Sequence, residues 1–139
     1  MIHAVLDTSV VVRYLIGDDP ASADAARTYL TRARVRSLLM PDVAVAELAF
    51  VLLRVYRWPA SSAADAVRAV VNHRAIEVPG RDLWLEVAGD LERGYGPVDA
   101  YLLRTAERDA LPGLITLDEG IHPLATVECV APPSPPRDA

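Results

Sequence analysis

Short apolar runs alternate along this chain with longer segments that have a helical pattern, and this alternation limits the folds available to it. Strands that alternate with helices are typical of a parallel sheet with helices on both faces. The sequence therefore predicts a three-layer α/β/α fold with a central parallel sheet of four to five strands. The strands are predicted at Ile2–Leu6, Ser37–Met40, Ala75–Val78, Leu114–Leu117 and Thr126–Val130. The helices are predicted at Thr8–Ile16, Pro20–Arg34, Pro41–Arg57, Ser62–Asn72, Arg81–Arg93 and Pro97–Ala110.

The length and composition are those of one globular unit. The chain has 139 residues, which is enough for a substantial hydrophobic core. Hydrophobic residues make up 52% and charged residues 24%, which excludes the composition of a disordered protein. We predict a single domain over residues 1–131 and a Pro-rich, disordered tail over residues 132–139.

Composition also bears on the compartment and the partners. The one cysteine, Cys129, cannot form an internal disulfide, and we expect it to be a small buried hydrophobe on a strand. With no secretory signal before Asp7, a cytoplasmic protein is expected. No apolar stretch reaches the ~20 residues that a membrane span needs. The net charge of −5 argues mildly against nucleic-acid binding, unless bound cations neutralise several acids.

Four acids occupy positions where an α/β fold brings its chain to one cleft. Asp7 and Asp118 each end an apolar run, and ligands of such sheets bind at the carboxyl ends of the strands. Glu47 interrupts a helix that is apolar on all sides, and Asp99 lies in the first turn of another helix. Two carboxylates ~4 Å apart repel by roughly 4 kcal/mol at an effective dielectric near 20. Converging acids therefore predict a divalent metal between them.

Each acid also has a purely structural interpretation. Asp7 could be only a helix cap, and Asp99 could be there only to interact with a helix dipole. Glu47, expected to be buried on its apolar helix, could instead pair with an Arg or reach water at the helix end. Asp118 could be a turn residue. The neighbouring hydroxyl residues Thr8, Ser9 and Thr116 are candidates to orient the carboxylates or a metal-bound water.

In these residues the chain resembles the PIN-domain nucleases, and among them the VapC-type toxins of bacterial toxin–antitoxin pairs. The resemblance extends from Met1 to about Pro132. Its segments are Val5–Ser9 with Arg13–Leu15, Val45–Leu48, Val98–Leu102 and Leu114–Asp118. There are three departures from the family pattern: Ser9 where Asn is common, Ile121 where an aromatic residue is frequent, and Asp42 in place of a small or hydroxyl residue.

The resemblance implies a PIN-like, Rossmann-like fold and an endoribonuclease that depends on Mg²⁺ or Mn²⁺. It implies that Asp7, Glu47, Asp99 and Asp118 hold the metal and carry catalysis, leaving 5′-phosphate and 3′-hydroxyl ends. The implied partners are a structured RNA, often transfer RNA, a small VapB-type antitoxin and a second copy of the chain.

An acidic protein must still hold RNA, and some of its arginines are candidates for that role. Arg13, Arg54 and Arg57 are candidate phosphate contacts, although they could be ordinary solvated side chains. The helical segments Ala21–Ala33 and Val43–Val55 could provide pairing surfaces, or their apolar residues could simply be core.

Other classes fit the sequence less well. A dehalogenase-like phosphatase needs a second Asp where Ser9 stands, and a phospho-receiver domain needs a Lys that the chain lacks. A P-loop enzyme needs a Gly-rich loop that ends in Lys. His3, His73 and His122 show no paired spacing, which disfavours zinc chemistry or a His-based ribonuclease. The remaining alternative is a catalytically silent domain of the same fold that binds RNA or a protein partner; divalent-metal binding that Asp7→Asn abolishes would distinguish the two.

Overall fold

The computed structural model describes residues 1–118, 120–121 and 127–133. The strands are β1 (Ala4–Val5), β2 (Leu38–Leu39), β3 (Ile76–Glu77), β4 (Gly113–Ile115) and β5 (Glu128–Val130). The helices are α1 (Thr8–Ile16), α2 (Pro20–Arg32), α3 (Asp42–Phe50), α4 (Ala60–Val71), α5 (Arg81–Glu92) and α6 (Pro97–Arg108), with a π-helical segment, Val51–Val55, directly after α3. Predictions for His122, Thr126 and most of the tail (134–139) fall outside the described residues.

All the described strand pairs are parallel, but they form two groups. β1, β2 and β3 form one sheet in that order, and β4 pairs with β5. The α/β class with parallel strands is confirmed, whereas the central sheet is smaller than the predicted four to five strands. Each strand has only two or three residues, and the Thr116 N–H extends the β4–β5 ladder by donating to Val130. Val5 on β1 and Ile115 on β4 are both exposed, at 68% and 61%.

Local signals explain where most helices begin and end. Asp7 caps α1, and Gly17 ends it in the left-handed conformation with φ 68°. Pro20 and Pro97 occupy first-turn positions of α2 and α6, where a missing N–H costs nothing. One prediction is corrected: α4 begins at Ala60 and not at Ser62, and Pro59 stands at its N-cap without a side-chain hydrogen bond. Within this helix, Asp65 pairs with Arg68.

The core lies between the three-stranded sheet and the helices. α3 is central, because it packs against α1, α4 and α6. Trp84 on α5 and Leu48 on α3 are among its largest fully buried side chains. Burial of one such side chain contributes about 1.5–3 kcal/mol. Cys129 lies on β5 as predicted, but it is only half-buried at the core edge. Within the described residues, no helix has both the length and the apolar character needed to cross a bilayer.

A buried carboxylate joins α5 to α6. The Asp90 side chain is 0% exposed and accepts hydrogen bonds from Arg104 Nε at 2.9 Å and Nη2 at 2.7 Å. Arg93 also donates to it. The hydrogen bonds to the Asp90 carboxylate have the largest effect on the pKa of Arg104, and they raise it. Burial of the guanidinium lowers this pKa, Glu107 raises it further, and the net result lies above the ordinary range. This ion pair fixes the position of α6, the helix that carries Asp99.

The stability of the fold is expected to decrease in mild acid because of His73. This ring accepts a hydrogen bond from the Ala75 N–H at 3.1 Å and lies edge-on to Tyr14. Burial, and secondarily the charge of Arg74, lower the pKa of His73 below 6.5. His73 therefore takes up a proton more readily in the unfolded chain than in the folded protein. The stability contributed by the neutral ring is fully present above pH 6.5, and it is lost as the pH falls through the pKa of His73 in the folded protein. Urea unfolding at pH 7.5 and pH 5 should show a smaller pH effect in His73→Gln; identical pH effects in both proteins would contradict this prediction.

Candidate active site

Asp7 joins β1 to α1, and its carboxylate is oriented by Ser9. The backbone N–H of Ser9 donates to Asp7 Oδ2 at 3.0 Å, and the Ser9 hydroxyl donates to the same oxygen. These two bonds hold the pKa of Asp7 below its usual range. Asp7 Oδ1 makes no hydrogen bond with the described residues. The cap role is therefore real, and it leaves one oxygen available for a ligand.

Thr8 supports the site differently from the prediction. Its side chain is buried, and its hydroxyl donates to the Ala44 carbonyl at 3.1 Å. This bond ties the start of α1 to the first turn of α3. Thr8 therefore positions the two helices that carry Asp7 and Glu47, whereas Ser9 orients the Asp7 carboxylate directly.

Glu47 is exposed, which corrects the expectation that its helix is buried on most faces. One face of the α3 region stays in solvent, and Val43 on this face is 77% exposed. Glu47 recurs on that face with Val43 and Phe50, at helical spacing. No Arg pairs with Glu47 among the described residues. Glu47 therefore reaches water, as one of its structural interpretations allows, and its charge needs no partner in the fold.

Asp99 and Asp118 come together from separate elements. Asp99 lies in the first turn of α6, and Asp118 follows β4. Partial burial of Asp99, followed by the nearby Asp118 carboxyl, raises the pKa of Asp99. A neighbouring negative charge disfavours ionisation of Asp99, so Asp118 adds to the effect of burial.

The backbone around Asp118 explains how its carboxylate is held. Its own N–H donates to the Thr116 hydroxyl at 3.0 Å, and the Gly120 N–H donates to Asp118 Oδ1 at 2.8 Å. A Cβ on Gly120 would lie 3.1 Å from that oxygen, so a side chain there would crowd the carboxylate. The Thr116 hydroxyl thus bonds to the backbone of Asp118 and not to its carboxylate, and the turn role of Asp118 coexists with its proximity to Asp99.

The four acids are only partly assembled in the described structure. Asp99 contacts Asp118, while Asp7 and Glu47 lie on α1 and α3, which pack against each other. Across residues 1–118, 120–121 and 127–133, no three His, Cys, Asp or Glu side chains form a group that could hold one metal ion. The donors are all carboxylate oxygens, which suit a hard cation such as Mg²⁺ or Mn²⁺. The residues therefore fit this cation class, and the four-ligand site stays a prediction.

Asp42 has a structural role that the sequence did not predict. Its carboxylate accepts hydrogen bonds from Trp84 Nε1 at 3.0 Å and from the Tyr101 hydroxyl at 2.9 Å. Burial, followed by this contact with Asp42, raises the pKa of Tyr101. The three side chains connect α3, α5 and α6 two residues away from Asp99. The departure of Asp42 from the family pattern was the sequence signal that could have indicated this role.

Of the three predicted phosphate contacts, Arg13 shares a cavity with one of the acids, whereas Arg54 lines a cavity that none of the four acids lines. Arg13 lines a groove with Asp7 and Ser9, although it also pairs with Asp18 at 3.2 Å. Arg54 lines a smaller cavity with Gly96 and Pro97, just before Asp99. Arg57 is exposed with φ 54°, and none of the described contacts connects it to the acids.

This parallel α/β fold places Asp7 after β1 and Asp118 after β4, with Asp99 on α6 close to Asp118. The chain matches the model of the PIN domain over residues 4–126, so it belongs to the PIN domain family. PIN domains are generally metal-dependent nucleases, which places this chain among the nucleases at that level. No curated protein and no solved structure matches it significantly.

Proposed function

We propose that this protein is a Mg²⁺- or Mn²⁺-dependent endoribonuclease that acts as the toxin of a type II toxin–antitoxin pair. One observation carries the proposal. In a chain of the PIN family, Asp99 on α6 lies close to Asp118 beyond β4, since burial and then the nearby Asp118 carboxyl raise the pKa of Asp99. Contacting carboxyl groups favour either a shared proton or a bound cation, and carboxylates are the usual ligands of hard divalent ions.

The chain's own residues have distinct parts in this proposal. Ser9 presents Asp7 with one oxygen unbonded, and Gly120 holds Asp118 from its backbone N–H. When bound, a divalent cation supplies Lewis-acid chemistry that activates water and offsets charge on the scissile phosphate. The proposed phosphate contacts are Arg13, which lines a groove with Asp7, and Arg54, which lines a cavity with Gly96 and Pro97.

The proposed partners rest on exposed apolar side chains near the site. Val43 and Phe50 on α3, and Val98 and Leu102 on α6, are exposed although α3 packs against α6. Exposed apolar residues grouped on neighbouring helices are typical of protein interfaces. We assign this surface to pairing with a second copy of the chain or to a VapB-type antitoxin. On α2, by contrast, Ala23, Ala26 and Leu30 are core residues.

The first experiment tests the chemistry on purified protein. Total RNA or transfer RNA is incubated with the protein in EDTA, and then with Mg²⁺ or Mn²⁺ in excess. We expect cleavage only with the divalent ion, and fragments that carry 5′-phosphates, detected by adaptor ligation without prior kinase treatment. Cleavage that persists in EDTA would reject the proposed mechanism.

The second experiment tests the biological role. Expression of the wild-type chain in bacteria should arrest growth, and Asp7→Asn should relieve the arrest. Asp19→Asn is the matched control, because Asp19 also precedes a helix and accepts a hydrogen bond from a nearby serine, Ser22, at 2.7 Å. Equal toxicity of wild type and Asp7→Asn would instead favour the catalytically silent alternative, in which the domain acts by binding.

A further inference from the structure

Two cavities meet at Tyr29. The first, of about 620 Å³, lies between β1 and the α1–α2 pair, and Asp7, Ser9 and Tyr29 are among its lining residues. The second, of about 500 Å³, is lined by Tyr29 together with Arg32 and Arg34. Tyr29 is exposed at their junction. The two cavities therefore form a continuous surface that runs from the Asp7 carboxylate to a pair of arginines.

The far end of this surface is positively charged. Arg32 and Arg34 are exposed, and no carboxylate of the described residues pairs with either of them. In contrast, Arg27 on the same helix pairs with Asp24 at 3.2 Å. In a chain of net charge −5, two adjacent arginines without acidic partners are a local site for anions.

The backbone that carries the arginines is held in place from outside. Arg74 donates to the Ala33 carbonyl at 2.8 Å and also to the Thr31 carbonyl. Arg36 pairs with Glu77 on β3 at 2.7 Å. The turn between α2 and β2 is therefore fixed to the sheet, and Arg32 and Arg34 extend from a rigid support.

We propose that this surface binds a single-stranded segment of the RNA substrate, with one base stacked on Tyr29 and phosphates held by Arg32 and Arg34. This inference rests on the proposed nuclease function, because it places the scissile phosphate at Asp7. Aromatic side chains stack unpaired bases, and arginines bind phosphates by paired donors. Single-strand grooves combine the same two elements.

The dimensions suit a short strand. Ten residues of α2 separate Ser22, beside the first cavity, from Arg32 in the second, which is about 15 Å of helix. One phosphate occurs per ~3.4 Å of strand in a duplex, and the spacing is wider when the strand is extended, so about three nucleotides fit this length. Stacking on Tyr29 also requires an unpaired base, so the segment is single-stranded.

The experiment measures binding without cleavage. A fluorescein-labelled single-stranded RNA is titrated with the whole protein in EDTA, and anisotropy gives Kd at several salt concentrations. Tyr29→Ala should weaken binding about tenfold, while Tyr29→Phe should retain it. Arg32→Ala and Arg34→Ala should each weaken binding and reduce the slope of log K against log salt by about 0.7. A duplex of the same sequence should bind more weakly than the single strand.

Arg27→Ala is the matched control, because it removes the same charge from the same helix outside both cavities. An equal loss in Arg27→Ala, unchanged binding in Tyr29→Ala or equally tight duplex binding would each overturn the inference. Thermal unfolding confirms that the variants are folded. The binding assay contains no metal, so it does not depend on nuclease activity. If the Tyr29, Arg32 and Arg34 variants weaken RNA binding but the wild-type protein never cleaves RNA, the binding surface is supported and the proposed nuclease function is rejected. Metal-dependent cleavage with variant-insensitive binding would reject the surface alone.

Discussion

Asp99→Asn is expected to lower the rate of metal-dependent RNA cleavage at least 100-fold while the protein stays folded. The substitution keeps the shape of the side chain but removes the negative charge that a cation requires. Loss of a residue that merely orients a metal ligand typically costs 10–100-fold, so loss of a ligand should cost more. The measurement is the initial rate of cleavage of a fluorogenic RNA at saturating Mg²⁺.

The matched control for this prediction is Asp82→Asn. Asp82 lies in the first turn of α5, as Asp99 lies in the first turn of α6, so both acids interact with a helix dipole. If Asp99 only stabilised its helix, the two variants would differ little in activity. We expect Asp82→Asn to retain wild-type rates. Comparable activity of the two variants would remove Asp99 from the site.

Asp90→Asn is expected to lower the free energy of unfolding by about 3 kcal/mol. The Asp90 side chain is fully buried, and that of Arg104 is only 17% exposed, so the substitution leaves a largely buried guanidinium with Glu107 as its remaining counter-charge. Breaking one partner of a buried ion pair typically costs about 3–5 kcal/mol. For a chain of this length, the loss corresponds to a fall in melting temperature of about 10 °C. Urea unfolding and calorimetry would both measure it.

Asp65→Asn is the appropriate comparison for that effect. Asp65 also pairs with an arginine one helical turn away, Arg68, but its side chain is 76% exposed. Exposed pairs contribute about 0–1 kcal/mol, so Asp65→Asn should scarcely change stability. A loss in Asp90→Asn no larger than in Asp65→Asn would show that the ion pair between α5 and α6 does not stabilise the fold.

The helices could be predicted from sequence better than the sheet. Gly17, Pro20 and the Gly96–Pro97 pair act locally, so their sequence neighbours suffice to place the helix ends. Strand pairing depends on partners far along the chain, and runs of apolar residues do not indicate which strands pair. The division into three strands and two therefore could not be predicted from the pattern alone.

The site shows the same separation between local and distant effects. The cap role of Asp7 and the turn role of Asp118 were available as structural interpretations, because Asp favours both positions and bonds there to near neighbours in sequence. The exposure of Glu47 was missed because an apolar helix was taken to be buried, whereas one of its faces is in solvent. The hydrogen bond from Tyr101 to Asp42 spans 59 positions, so only the fold could reveal it.

The π-helical segment Val51–Val55 changes how charges after α3 should be compared among related chains. The Tyr56 N–H donates to the Val51 carbonyl at 3.0 Å, five residues back instead of four. Such a widened turn accommodates one extra residue and rotates everything after it by about 100° relative to a regular helix. A chain without the extra residue would present a different side chain where Arg54 faces Gly96 and Pro97. Residues after Phe50 should therefore be matched to those of related chains by their position in space. Matching them by the number of residues after Glu47 would compare the wrong side chains.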